Sequence, residues 1–122
     1  MRWAVALLFT ITIAVAQDHQ HPPQDADLHD KFYATWQIPN NGHPRVYSCC
    51  NKKDCYPTVI KKIDGKWFAR RREDGHWVHV TEDRLEQNQS DPRESPDWQS
   101  HACMGPPNSG NKVYCATLGS GS

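Results

Sequence analysis

What the sequence lacks already narrows its class. The chain carries no net charge, with 14 basic residues against 14 acidic ones, so a charged surface can arise only where like charges gather locally. It has no Gly-rich phosphate loop, no paired-carboxylate signature, no H-E-x-x-H helix and no G-x-S-x-G elbow. The enzyme classes announced by those patterns find no support here. Its cysteines avoid the C-x2-C spacing of a zinc site. Beyond residue 16 no apolar stretch approaches the roughly 20 residues that cross a bilayer.

What is present begins with MRWAVALLFTITIAVAQ. One basic residue, Arg2, precedes an apolar run from Trp3 to Ala16 broken only by Thr10 and Thr12, and Ala14-Val15-Ala16 supplies a small-residue cleavage site. Residues 1–16 therefore read as a signal peptide. Its removal would leave a near-neutral, secreted or periplasmic chain with no transmembrane anchor. A domain of that size buries about two thirds of its unfolded surface and needs staples. Five cysteines supply them as disulfides, because paired thiols outside the cytoplasm oxidise and stay oxidised.

Residues 17–25, QDHQHPPQD, hold two prolines and no aliphatic side chain, and read as a flexible arm carrying His19 and His21. A single small domain is expected over 26–117, with a flexible tail at 118–122. Leu28, Phe32, Tyr33 and Trp36 share one helical stripe, with Asp27 as N-cap and Pro39 as terminator, which predicts a short amphipathic helix. Three β-rich runs at 59–63, 66–72 and 76–80 are joined by Asp64-Gly65 and Asp74-Gly75. D-G is a pair that two-residue type I′ turns favour, so these runs predict a three-stranded antiparallel meander. Residues 81–86 are allowed one helical turn, 87–100 read as loop, and Cys103 and Cys115 flank a Gly/Pro/Asn turn between two short strands. The expected fold is α+β or mostly β: a helix packed on the meander, a C-terminal hairpin, and two disulfides.

HDKFYATW, SCCNKKDCYPT, the pair G-x-W (Gly65 to Trp67) and G-x-W-V-x-V (Gly75 to Val80), DPRESPDWQSHAC and a final V-Y-C together resemble a family of small exported alphaproteobacterial hypothetical proteins. The likeness runs from about His29 to Cys115, and its most specific block is S-C-C-N-x-x-D-C. Thr81 stands where that family often has proline, and Ala116 where it usually has phenylalanine. The resemblance implies an exported bacterial protein of one fold and brings no established activity with it.

Adjacent cysteines rarely bond to each other, because the eight-membered ring distorts the peptide, so Cys49 and Cys50 should point to different partners. Four of Cys49, Cys50, Cys55, Cys103 and Cys115 pair and one is left over. The preferred arrangement joins one of the adjacent pair to Cys55, and Cys103 to Cys115. A competing one ties Cys49 or Cys50 to Cys103 or Cys115 and closes a longer loop. The odd cysteine is then free to link two copies as a homodimer, to be capped, or to react. For a reactive thiol, Lys52 and Lys53 would lower its pKa, Asp54 would orient a histidine, and His101 lies two residues from Cys103. Cys49 or Cys50 with Asp54 and His101 thus outlines a Cys-His-Asp nucleophilic site. Zinc or copper would find donors in the cysteines and His101, or in His19 and His21 on the arm, although no cofactor is expected.

Six basic residues between Lys61 and Arg72 face one acid, Asp64, with Trp67 and Phe68 interleaved and Trp77 on the next strand. Lys66, Trp67, Arg70, Arg72 and Trp77 are the expected binding residues, for an anionic glycan or another envelope component rather than nucleic acid. Against this, Glu73, Asp74, Glu82, Asp83 and Glu86 can neutralise the patch. The function expected is a non-catalytic binding or envelope-associated module; the alternative is a small thiol-dependent or metal-assisted hydrolase centred on the cysteines and His101.

Overall fold

The computed structural model describes residues 31–50 and 54–120. The readings placed on residues 1–30, including the signal peptide, the arm with His19 and His21, and the helix start at Asp27 and Leu28, lie outside the described residues. So do Lys52 and Lys53. The fold is mostly β, as expected: two three-stranded antiparallel sheets with a few short 3-10 turns.

One sheet is the meander. β2 (Ile60–Ile63), β3 (Lys66–Arg70) and β4 (Trp77–Val80) lie in the order β2-β3-β4. Between β2 and β3, Asp64 (φ 51) and Gly65 (φ 78) both adopt positive φ, the conformation that a type I′ turn demands. The second D-G step behaves differently. β3 ends at Arg70 and β4 begins at Trp77, so six residues make the connection where two were expected. Asp74 accepts from Arg71 Nε and Nη2 and from the His76 N–H, and that side-chain chemistry builds a wider turn with Gly75 at φ 70.

The other sheet joins distant parts of the chain. β1 (Cys55–Pro57), β5 (His101–Met104) and β6 (Val113–Thr117) run in the order β1-β5-β6. The β5–β6 hairpin is the one expected; the third strand is not. β1 is short and lies at the sheet edge, where the missing N–H of Pro57 is tolerated. Every residue of β5 is buried, because this sheet is covered on both faces. On one side Tyr56, Ala102, Met104 and Ala116 meet Ile60, Ala69, Val78 and Val80 of the meander, closed by Leu85. On the other, Cys55, Cys103 and Cys115 pack with Phe32, Tyr33, Trp36 and Cys49. Full burial of a large apolar side chain stabilises by about 1.5–3 kcal/mol, so these two layers hold the molecule together.

That layering corrects the expected position of the aromatic segment. Within the described residues it is helical from 31 to 35, ending in the 3-10 turn Tyr33–Thr35, and it covers the disulfide face of the β1-β5-β6 sheet, not the meander. The preferred cysteine pairing is corrected too, and the competing link from the adjacent pair to the C-terminal segment is the one that forms. Cys49 bonds Cys115, Cys55 bonds Cys103, and Cys50 is free. The local pairings to Cys55 and between Cys103 and Cys115 do not form. Cys103 lies opposite both Cys55 and Cys115 in the sheet and is joined to Cys55, while Cys115 is joined to Cys49 in the aromatic layer. The ordered fold also runs past residue 117: Leu118 packs against the core and the Gly119 N–H donates to Ser100 Oγ at 2.9 Å.

Candidate functional site

Strand alternation divides the meander into two faces. Ile60, Trp67, Ala69, Val78 and Val80 turn toward the other sheet. Lys61, Lys66, Phe68, Arg70, Trp77 and His79 turn outward. The register places Phe68 between Lys61 and His79 and sets Arg70 opposite Trp77. Lys61 reaches across β3 so that its Nζ stands 4.3 Å from the centre of the Trp77 ring, and the Phe68 and His79 rings lie 5.4 Å apart. Rings flanked by ammonium and guanidinium groups can hold an anion by charge and a flat or apolar group by contact.

Two of the acids that were candidates to neutralise the basic run do pair with members of it, Arg71 and Arg72, which lie beyond the end of β3, and two pair with arginines outside it. Asp74 pairs with Arg71, Glu73 with Arg72, Asp83 with Arg84 and Glu86 with Arg45. Among the described residues Lys61, Lys66 and Arg70 have no ion-pair partner. The Arg71 guanidinium and the His76 N–H hold the Asp74 carboxyl at about 2, well below its ordinary 3.8. Arg71 itself is buried and also donates to the side chain of Asn111 at 3.1 Å, so it braces the turn rather than facing solvent.

Of the five residues expected to bind, Lys66, Arg70 and Trp77 share the outer face. Trp67 turns to the core side, where it borders a cleft with Lys62, Lys66, Glu82 and Asp83. Arg72 lies beyond the end of β3, stacked 4.4 Å over the Tyr56 ring while its N–H donates to the Tyr56 hydroxyl. Burial pushes the Tyr56 phenol up, against the pull of that N–H. Lys61, Phe68 and His79 were not among the expected site residues. The signal for them was the two-residue turn at Asp64-Gly65, which sets Lys61 across from Phe68.

The residues expected for a nucleophilic site are not assembled as one. Cys49 is consumed by Cys115, and the half-exposed Cys50 is the only free thiol. Asp54 accepts from the Met104 N–H through its backbone carbonyl. His101 is 0% exposed, with Nδ1 2.8 Å from the Tyr33 hydroxyl and Nε2 2.8 Å from Asp97 Oδ1. An ionised carboxylate only accepts, so Nε2 carries a proton and, in the neutral ring, Nδ1 accepts from Tyr33. Burial opposes ionisation of Asp97, but donation from His101, the Gln99 N–H and Ser95 more than offsets it and holds the carboxyl below its ordinary value. The Tyr33–His101–Asp97 relay contains no sulfur; His101 is fully buried in it, and the Asp97 side chain is 25% exposed. No group of three or more His, Cys, Asp or Glu side chains is placed to hold a metal among the described residues.

A second buried polar centre ties the loops together. Glu86, fully buried, accepts from Arg45 Nη1 and Nη2, from Trp36 Nε1 and from the Arg93 N–H. Among the described residues no buried side-chain nitrogen or oxygen lacks a partner. Comparison with known proteins adds no family assignment: no protein-family model, curated protein or solved structure matches the chain.

Proposed function

We propose that the chain is an exported, disulfide-stapled binding module whose outer meander face holds an anionic glycan of the cell envelope. The observation that supports it most is the set of three cations, Lys61, Lys66 and Arg70, interleaved with Phe68, Trp77 and His79 while the nearby acids Glu73 and Asp74 are engaged by other arginines. Segregation of that kind gives a chain of zero net charge a cationic surface. Two disulfides and the apolar N-terminal run with its small-residue end support export. The likeness to small exported alphaproteobacterial proteins agrees with it. The thiol hydrolase gains no support, because His101 is buried and bonded at both nitrogens.

Retention on an immobilised uronic-acid polysaccharide tests the reading. The wild type should bind at low salt and elute as salt rises, and Lys61→Ala with Arg70→Ala should elute earlier while melting at the same temperature. Equal elution of variant and wild type, or no retention, would remove it.

A further inference from the structure

Trp98 is 71% exposed, yet the turn that carries it is among the most heavily bonded parts of the molecule. The single Ser95 hydroxyl proton is shared between the Asp97 carbonyl at 2.7 Å and the Gln99 carbonyl at 2.6 Å, while Oγ accepts from the Asp97 N–H at 3.3 Å. The Gln99 N–H donates to Asp97 Oδ1 at 2.9 Å, and the same oxygen is held by buried His101. Gly119 lies so close beneath the backbone of Trp98 and Gln99 that a methyl group there would collide with them. A large apolar ring is thus displayed to solvent from a turn whose backbone is tied down on both sides of it. Rigid display of an exposed aromatic reduces the ordering cost of binding, which is how a contact surface gains affinity.

Trp98 borders a groove of about 450 Å³ with Pro57, Thr58, Val59, Ile60, Gln99 and Ser100, a volume within the range of small-ligand clefts. Val59, itself 57% exposed, connects the groove to the cationic face. It precedes β2 with the same outward parity as Lys61, and its carbonyl accepts from the Arg70 N–H at 3.1 Å. One surface therefore runs from the Trp98 groove over Val59 to Arg70, Lys61 and Trp77.

We infer that the groove is a second subsite for the same glycan, in which the C–H face of a pyranose ring stacks on Trp98 while neighbouring carboxylated sugars lie along Lys61 and Arg70. The inference rests on the cationic-face reading and deepens it: the ligand is a linear acidic polysaccharide, bound over several residues, not an isolated anion. A concave site beside the charges suits a chain of sugars. The stacking is driven by burial of the sugar's C–H face against the negative face of the indole.

The test uses oligogalacturonates from disaccharide to octasaccharide, cellohexaose as a neutral chain, and phosphatidylglycerol vesicles, against wild type, Trp98→Ala and Lys61→Ala/Arg70→Ala. Affinity should rise with oligomer length. Trp98→Ala should weaken the octasaccharide about tenfold, a loss typical of a truncated aromatic anchor, and leave the salt dependence of its binding unchanged. The Lys61/Arg70 variant should flatten that salt dependence. Cellohexaose should shift the indole N–H resonance of Trp98, identified by its absence in Trp98→Phe, even in the Lys61/Arg70 variant. Salt-sensitive octasaccharide binding that is indifferent to Trp98→Ala would overturn the subsite and leave the cationic face standing. Loss of all salt-sensitive binding with the cellohexaose shift retained would do the reverse, keeping a sugar site at Trp98 and ending the cationic-face reading. Binding to the vesicles and to none of the oligosaccharides would overturn both and assign the surface to a membrane.

Discussion

Asp74 holds three donors at once, two from Arg71 and one from the His76 backbone, and its carboxyl titrates at about 2 where an unfolded chain would titrate at 3.8. A group whose pKa falls on folding stabilises the folded state above the unfolded value and loses that contribution as pH falls through the folded one. Asp97, held below its ordinary value by His101, Gln99 and Ser95 against the opposing effect of burial, acts in the same direction. The urea midpoint of the wild type should therefore exceed that of Asp74→Asn by a constant margin from neutrality down to about pH 5, and the margin should shrink progressively as pH falls toward 2. A margin that widened in acid would contradict the assignment. Cys50 permits a second single-residue check. Under native conditions one thiol per chain should react with a disulfide reagent, and Cys50→Ser should abolish the reaction with no change in melting temperature. A thiol still titrating in Cys50→Ser would mean that the bonds of Cys49 and Cys55 are misassigned.

Elements of this fold differ in how local their causes are, and that decided how much of each was legible in the sequence. The β2–β3 hairpin was readable because Asp64 and Gly65 need only their own backbone to make the turn. Asp74-Gly75 presents the same dipeptide, but Arg71 three residues earlier claims the aspartate, and the turn widens. β1 was not readable: three residues with a proline carry little strand signal, and its partner β5 lies more than forty residues away. Because β1 was hidden, so was the cross-strand position that joins Cys55 to Cys103. On the candidate face, Lys66, Arg70 and Trp77 were legible from composition, whereas Lys61, Phe68 and His79 needed the register. Tyr33 and Asp97 gave no signal in sequence, since nothing local says that either meets His101. Glu86 is the clearest case of an element held by distant partners, joining the loops of Trp36, Arg45 and Arg93. Glu86→Ala should cost about 3–5 kcal/mol, the usual result of breaking a buried ion pair on one side. Glu86→Gln, which retains one acceptor oxygen, should cost less; equilibrium denaturation of both variants measures the difference, and equal losses would mean that packing rather than hydrogen bonding holds the site.

At the scale of the whole molecule, the β1-β5-β6 sheet is the central layer, between the aromatic segment on its disulfide face and the meander on the other. Both disulfides fasten to it, across sequence separations of 66 and 48 residues. In the chain-entropy treatment each loop closure is worth about 4 kcal/mol, comparable to the 5–15 kcal/mol of net stability typical of a folded domain. Reduction under native conditions should therefore abolish the cooperative thermal transition seen by circular dichroism. A reduced protein that still melted cooperatively would show that the apolar layers suffice without the staples. With the central layer fixed, the meander is left free to show its outer face to solvent, and on that face the cations Lys61, Lys66 and Arg70 stand near aromatic rings with no ion-pair partner among the described residues.

The most direct test of that face is the salt dependence of affinity for an octasaccharide of galacturonic acid, measured calorimetrically for the wild type and for Lys61→Ala/Lys66→Ala/Arg70→Ala. If these side chains hold the ligand, the wild-type association constant falls steeply as salt rises, and the triple variant binds more weakly along a clearly shallower line. Parallel lines of equal affinity, or a wild type that does not bind the octasaccharide at low salt, would contradict the account.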